Sequence, residues 1–438
     1  MEISRRKFMT ATSAAVIVGG LKATGRVWGA NERINICVIG FNGRGKEHIA
    51  KWLELKDSHN VDLMALCDVD ERVLKAGVRV VEKRRGSAPK TYVDMREVMA
   101  DEEINAISIA TPNHWHTLAG VWGCQAGKDV YIEKPASHSV WEGKQLAAAA
   151  KAHNRIVQHG TQFRSDPALM RDIKLMHNGF IGKIVHSRGV VYKNGNRQSI
   201  GKGVEGAPPA ELNYELWQGP AKEVPYQVRE GGKGGLWIPY NWHWFWEWGN
   251  GESGNQGVHE MDIAVWGHNR GLPVKAMSQG GRYGWDDAGE TPNTQATSFT
   301  YPDGSLVTFE VRNLGSFHEA DGGACSNSFF GTDGYYVRRQ GFFDYNNKPI
   351  KVDEPLPKDV DHFTRFVELV RSRDNAANPA DADVAHHSCA HCHIGNIAYR
   401  LGRAVEFDPA TETFGDDSEA NALLKREYRE GFEVPQLA

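Results

Sequence analysis

Ile34-Asn-Ile-Cys-Val-Ile-Gly40-Phe-Asn42-Gly43-Arg44-Gly45 is the stretch whose reading decides the fold. Its apolar run, 34–39, has the character of a fully buried parallel strand, and three glycines follow at once. Residues 46–55 then supply helix formers with an apolar face at Ile49, Ala50 and Leu53. A second apolar run, 61–67, ends on Asp68. Strand, glycine turn, helix, strand and acid in that order form a dinucleotide-binding unit. Gly40 permits the tight turn, Gly45 lets the helix approach the strand, and the helix N-terminus offers unpaired N–H groups to a pyrophosphate. Asp68, 23 residues past Gly45, is placed to accept hydrogen bonds from a ribose. Its charge repels a 2′-phosphate, so the expected cofactor is NAD rather than NADP. The usual pattern has glycine at 42; Asn42 stands there instead, and asparagine tolerates positive φ better than most residues.

Working outward, short apolar strands at 90–92, 105–110, 129–132 and 156–159 alternate with helical stretches at 71–84, 94–100, 118–126 and 139–153. Such alternation predicts an α/β Rossmann domain, a doubly wound parallel sheet. Ligands of such sheets sit beyond the carboxyl ends of the strands, where Thr111-Pro112-Asn113-His114-Trp115-His116 and Glu133-Lys134-Pro135 fall. From about Gly160 the strands lengthen, at 184–192, 274–283, 294–301 and 305–311, with a Pro302-Asp303-Gly304 hairpin turn between the last two. These predict an α+β domain on an open, mostly antiparallel sheet. Residues 199–235, rich in Gly and Pro, are expected to form a long surface loop, and helices are expected at 360–372 and 383–405. The expected division is 1–30, a targeting segment; 31–159, the NAD-binding domain; and 160–438, a substrate-binding and oligomerisation domain with C-terminal helices.

A chain of 438 residues has room for two substantial cores. With 51 Lys+Arg against 55 Asp+Glu and no basic block, nucleic acid is not an expected partner. Six cysteines, one of them inside the first strand, imply no disulfide framework. Ser4-Arg5-Arg6-Lys7-Phe8-Met9 resembles a twin-arginine export signal, followed by a mild apolar stretch, 11–21, too short to hold a bilayer stably. Cleavage is expected between Ala23 and Ala30, and the mature protein in the periplasm without a stable membrane anchor. That route carries folded proteins, which suits an enzyme collecting its nucleotide in the cytoplasm. Because the periplasm supplies no free nucleotide, NAD is expected to be held tightly and recycled in the site.

Together with Cys67-Asp68-Val69-Asp70 and Gly257-Val258-His259-Glu260-Met261-Asp262, these motifs resemble the glucose-fructose oxidoreductase / inositol dehydrogenase (Gfo/Idh/MocA) family. The resemblance implies a Rossmann domain joined to an open-sheet domain, frequent homo-oligomers, and nicotinamide-dependent oxidation or reduction of a sugar or polyol carbinol. It implies that Gly40, Asn42, Gly43, Arg44, Gly45, Asp68, Thr111, Pro112, Asn113, His116, Glu133 and Lys134 surround the cofactor. Lys134 corresponds to the family's lysine beside nicotinamide and substrate, and a cation there favours a developing alkoxide. His259 corresponds to the catalytic histidine, with Asp262 one turn on; an imidazole can take and return a proton. Many members carry an acid four residues before that histidine, where this chain has Asn255. An amide orients a hydroxyl but cannot act as a base. Glu252, Glu260 and Asp262 are the nearby carboxylates able to substitute.

Asn241-Trp242-His243-Trp244-Phe245-Trp246-Glu247-Trp248 packs five aromatic residues into eight. If extended, the four Trp share a face that matches the C–H faces of a sugar, with Trp242, His243 and Trp244 as contacts and Asn255 and Asp262 nearby. The competing role is a packed core or subunit interface. Cys389-Ala-His-Cys392-His393 fits a haem-attachment pattern, but it falls in a helical run, and adjacent zinc-type ligands on a helix point apart. No metal is expected. The expected function is hydride transfer between NAD and a sugar, polyol or glycoside, the alternatives being an NAD-dependent glycosidase or lyase and a non-catalytic sugar-binding protein.

Overall fold

The computed structural model describes residues 32–193, 199–232, 234–314 and 325–438. The twin-arginine segment at 1–30 lies outside them.

The first sheet is built from β1 (Ile34–Ile39), β2 (Val61–Cys67), β3 (Lys90–Tyr92), β4 (Ala106–Ile109), β5 (Asp129–Ile132) and β6 (Val157–His159). All pair in parallel, in the order β3-β2-β1-β4-β5-β6. The order reverses between β1 and β4, which leaves a crevice beyond their carboxyl ends. Its connecting helices are α1 (Gly45–Ser58), α2 (Glu71–Arg85), α3 (Met95–Ala100), α4 (Asn113–Gln125) and α5 (Val140–Ala152). Side-chain caps start several of them: Asp70 accepts from Arg72 N, and Ser139 from Glu142 N.

Next come α6 (Pro167–His177), β7 (His186–Tyr192), the short hairpin of β8 (Gly203–Glu205) and β9 (Gln227–Arg229), and, between its strands, α7 (Tyr214–Gln218). After α8 (Gly257–His268) follow β10 (Lys275–Gly281), β11 (Thr294–Thr300), β12 (Leu306–Arg312), β13 (Cys325–Phe330), β14 (Tyr335–Val337), β15 (Gly341–Phe343) and β16 (Pro349–Ile350). The chain closes with α9 (His362–Ser372), α10 (Ala382–Leu401) and β17 (Val405–Glu406). The second sheet runs β16-β15-β14-β13-β7-β12-β11-β10-β17; every pair is antiparallel except β7 with β12. Strands β10 to β12 alternate buried residues with partly or fully exposed ones, so one face meets α8 and α10 and the other is turned away from them.

The structure corrects three expectations. The last long helix stops at Leu401, because Gly402 takes a left-handed turn (φ 64°) and Val405 pairs with Ala276 as a strand. Residues 199–235 are not a mere surface loop: Ile200, Leu212, Trp217 and Tyr226 are buried in an aromatic cluster with Trp237, Trp244, Phe245 and Trp248. Third, the second sheet continues past the expected strands into β13 to β16: in β13 the neighbours Ser326 and Asn327 are both buried, which breaks the alternation, and β14 to β16 are only two or three residues long. The C-terminal helices return to the first domain. From α9, Phe363 stacks on Tyr131 at 4.6 Å and meets Trp52 at 4.9 Å. Among the described residues no helix is long and apolar enough to cross a membrane.

Candidate functional site

At the switch point of the first sheet opens a cleft of about 400 Å³, lined by the glycine turn, the ends of β2, β4 and β5, and parts of the second domain. Gly40 has φ +76°, and a Cβ there would lie 2.9 Å from Thr111. At Gly45 a Cβ would strike the carbonyl of Gly40 at 2.2 Å, whereas at Gly43 it would meet nothing within 4 Å. The turn is thus packed tightly behind and open in front, the shape a pyrophosphate needs. Among the turn residues only Gly40 has positive φ; Asn42 needs no such tolerance and replaces glycine without strain.

Asp68 closes the turn from β2. Its Oδ2 accepts from Phe41 N (2.9 Å) and its Oδ1 from Asp70 N (3.0 Å). Burial raises its pKa to about 6, although both backbone bonds oppose that shift. Thr111 contributes a buried Oγ1 with no hydrogen-bond partner among the described residues, so a ligand hydroxyl or amide has a group to meet. Open space at Gly43, the cradle and this orphan oxygen all fit a dinucleotide.

Glu133 and His116 hold the walls rather than offering themselves to a ligand. Glu133 Oε1 accepts from Arg44 Nε (3.0 Å) and contacts His48 Nε2 (3.1 Å), and Oε2 accepts from Lys134 N (3.1 Å). Burial works to raise this carboxyl, but the His48 hydrogen bond and the surrounding cations hold it well below the usual range. The buried ring of His116 ties two loops together, Nδ1 to Pro135 O (2.5 Å) and Nε2 to Thr111 O (2.8 Å). Asn113 Nδ2 donates to Asn250 Oδ1 (3.2 Å), while Pro112 lines the cleft just before α4.

At the other end, Lys134 Nζ donates to Asn255 O (2.9 Å) and Asn255 Oδ1 (3.3 Å). Burial lowers its pKa, and Glu133 partly restores it. The Asn255 amide turns its Nδ2 the other way, donating to Tyr240 Oη at 3.1 Å. His259 faces the same space, with its Nδ1 buried and unpartnered among the described residues. Burial, then the charge of Lys134, holds the imidazole well below its ordinary pKa, so the ring is neutral. Lys193, ion-paired to Glu252 at 3.3 Å, and Gln256 complete this end.

The cleft therefore gathers Gly40, Asn42, Gly43, Arg44, Asp68, Thr111, Pro112, Asn113, His116, Glu133, Lys134, Asn255, His259 and Trp242. Three residues expected at the substrate lie elsewhere. Asp262 is fully buried, gripped by Arg164 (2.8 Å) and Ser388 Oγ (2.6 Å). His243 and Trp244 are buried because 241–244 forms a 3-10 turn, not an extended run; His243 Nδ1 bonds Tyr240 O at 2.7 Å, and Arg282 stacks on Trp244 at 4.7 Å. Of the four tryptophans only Trp242 reaches the cleft. Tyr240, Gln256, Lys193, Leu212, Leu216 and Trp217 line it unforeseen, and the one available hint was the position of Tyr240 and Gln256 beside motifs already noticed. Cys389 and Cys392 are buried within α10, and His393 Nε2 bonds Ser137 Oγ at 3.1 Å.

Known proteins resemble this chain along most of its length. An oxidoreductase family with an NAD-binding Rossmann fold, Gfo/Idh/MocA, matches residues 34–161, and that family's C-terminal alpha/beta domain matches 192–434. A glycosyl hydrolase family 109 protein of Stenotrophomonas maltophilia (strain K279a) is 27% identical over 224 residues, 47% of this chain and 48% of the relative. Levoglucosan dehydrogenase of Pseudarthrobacter phenanthrenivorans is 32% identical over 106 residues, 24% of this chain and 27% of the relative. The chain thus spans about half, or less, of the length of these relatives. Among solved structures, the WlbA dehydrogenase of Bordetella pertussis, in complex with NADH and UDP-GlcNAcA, superposes with a TM-score of 0.62 at 17% identity, covering 86% of this chain and 99% of that one. With both of its domains matched and the glycine turn, Asp68, Lys134 and His259 meeting in one cleft, the chain belongs to the Gfo/Idh/MocA oxidoreductase family, and NAD is its cofactor.

Proposed function

We propose that the protein transfers a hydride between NAD and a carbinol carbon of a sugar, polyol or glycoside. One observation carries this reading: Lys134, after β5, and His259, whose imidazole feels the Lys134 charge, line one cleft with Asp68, after β2, and the strand order puts the Thr111 loop, after β4, between the two ends. When bound, NAD supplies the nicotinamide that accepts or returns the hydride. Lys134, positioned by Asn255, presents an ammonium that binds the substrate hydroxyl and favours its alkoxide form. Because Asn255 cannot accept a proton, the neutral ring of His259 is the group that takes it. The Trp242 ring offers an apolar face to a sugar.

A second reading has its own support. The Stenotrophomonas maltophilia relative is named a glycosyl hydrolase, and a histidine base without a partner acid suits transient oxidation followed by elimination of a leaving group. Incubating the purified protein with sugars and glycosides, while following reduced nicotinamide absorbance, tests the first reading. Released aglycone with no net change in NAD redirects the assignment to the second. Export and assembly of copies belong to the same proposal, export supported by the paired arginines at 5 and 6. A reporter fused behind residues 1–30 that stays in the cytoplasm would count against export.

A further inference from the structure

Residues 211–217 belong to the second domain, yet they are tied to the first on both sides of the dinucleotide cleft. On one side, Glu71 N donates to Glu211 O (3.0 Å) and Asn213 N to Val69 O (2.9 Å), an antiparallel bridge between Asp70 and Leu212. These bonds grip the loop directly after Asp68. On the other side, Trp115 Nε1 donates to Leu216 O (3.1 Å) and His114 Nε2 to Trp217 O (3.0 Å), both from the start of α4. Arg429, near the end of the chain, holds the far end through Glu215 O (2.8 Å) and Gly219 O (2.7 Å). Between the two moorings, Leu212, Leu216 and Trp217 face the same cavity as Asp68, Val93 and Met95.

We infer that 211–217 is a strap across the adenosine half of the cleft, and that it sets how slowly NAD leaves. A ribose held at Asp68 places its adenine against the apolar wall of Leu212, Leu216 and Trp217. Release then requires the strap to part from the loop 69–71, breaking two backbone hydrogen bonds and uncovering apolar surface. A nucleotide held this way behaves as a resident group rather than a co-substrate. The inference rests on NAD binding but not on any substrate or catalytic step.

One position separates the strap from general stability. Asn213 has φ −74°, which proline adopts without strain, so Asn213→Pro removes the N–H that reaches Val69. It also removes the side-chain cap on Leu216 N, which Asn213→Ala removes while keeping the N–H. Full-length protein loaded with NAD is mixed with excess deuterated NAD, desalted at intervals, denatured, and its nucleotide weighed by mass spectrometry. Exchange in the unaltered protein is expected over hours, with Asn213→Pro about tenfold faster than Asn213→Ala. Leu216→Ala, which keeps every backbone bond, is expected to speed exchange as well; melting with saturating NAD checks that each variant folds. Equal exchange rates in all four proteins, or exchange in the unaltered protein within the mixing time, overturns the strap. Failure to bind any NAD on titration removes the cofactor, and the strap's role with it.

Discussion

The two ends of the cleft are made in different ways. The inner part of the cofactor end comes from one continuous stretch, 34–70, whose turn, helix and acid are neighbours in sequence and are joined by backbone N–H groups donating to Asp68; only the outer wall at 212–217 is lent by the second domain. The substrate end is assembled from Lys134, Tyr240, Asn255 and His259, which meet only because the second sheet and α8 are packed against the first domain. The first end depends mainly on local geometry, the second on the docking of two domains. Damage should therefore separate: changes at the first end ought to move nucleotide affinity, and changes at the second ought to move turnover.

The sharpest way to break that contrast is Lys134→Ala. Turnover on any active sugar is expected to fall about a thousandfold, with NAD affinity nearly unchanged. Calorimetric titration that instead found NAD binding lost would put Lys134 at the wrong end. Next in size is Trp244→Ala. Its ring is 4% exposed and packed in the aromatic cluster, so the variant should lose about 3–5 kcal/mol of stability in denaturant melts. Trp242→Ala should leave stability close to unaltered and raise KM, and a reversal of the two would restore the sugar-platform role to Trp244.

Asp68 gives a smaller, pH-dependent effect. Ribose hydroxyls donate to its ionised form, and its pKa without nucleotide is about 6, above the ordinary aspartate value because of burial. NAD affinity should be full above that pH and fall as pH drops through it, by up to about tenfold per unit. Asp68→Asn should bind more weakly and flatten this profile; an unchanged slope would assign the titration to another group. Smallest is Asn255→Asp. A carboxylate against Lys134 Nζ favours the ammonium, so the alkaline limb of activity should move upward by about one pH unit. No displacement would mean that Lys134 does not set that limb.

The same contrast explains what could be read in advance. The turn at 40–45, Asp68 and the alternation that follows were legible because glycine, buried β-strand and helix leave short-range signatures. That Lys134 falls at the ligand end of the sheet was legible from the strand pattern, whereas His259 and the roles assigned to both came from family resemblance, since nothing local distinguishes a catalytic lysine or histidine from a structural one. Trp244 was misplaced because an aromatic run looks the same extended or coiled, and the 3-10 turn at 241–244 is set by packing against Trp237 and Trp248. Tyr240 had only its place beside the aromatic run to mark it, and the wall at 212–217 had no signature, since their role follows from where the second domain lands.

The return of α9 has a consequence for anyone handling this protein in pieces. Trp52 and Tyr131 sit on a flank of the first sheet whose cover, Phe363 and Phe366, arrives more than two hundred residues later. A recombinant fragment cut near residue 160 would be born with that flank bare and should aggregate. Supplying 360–372 in trans is the direct route to its rescue. During synthesis, too, the nucleotide cradle has to wait for the tail of the chain before its sheet is sealed.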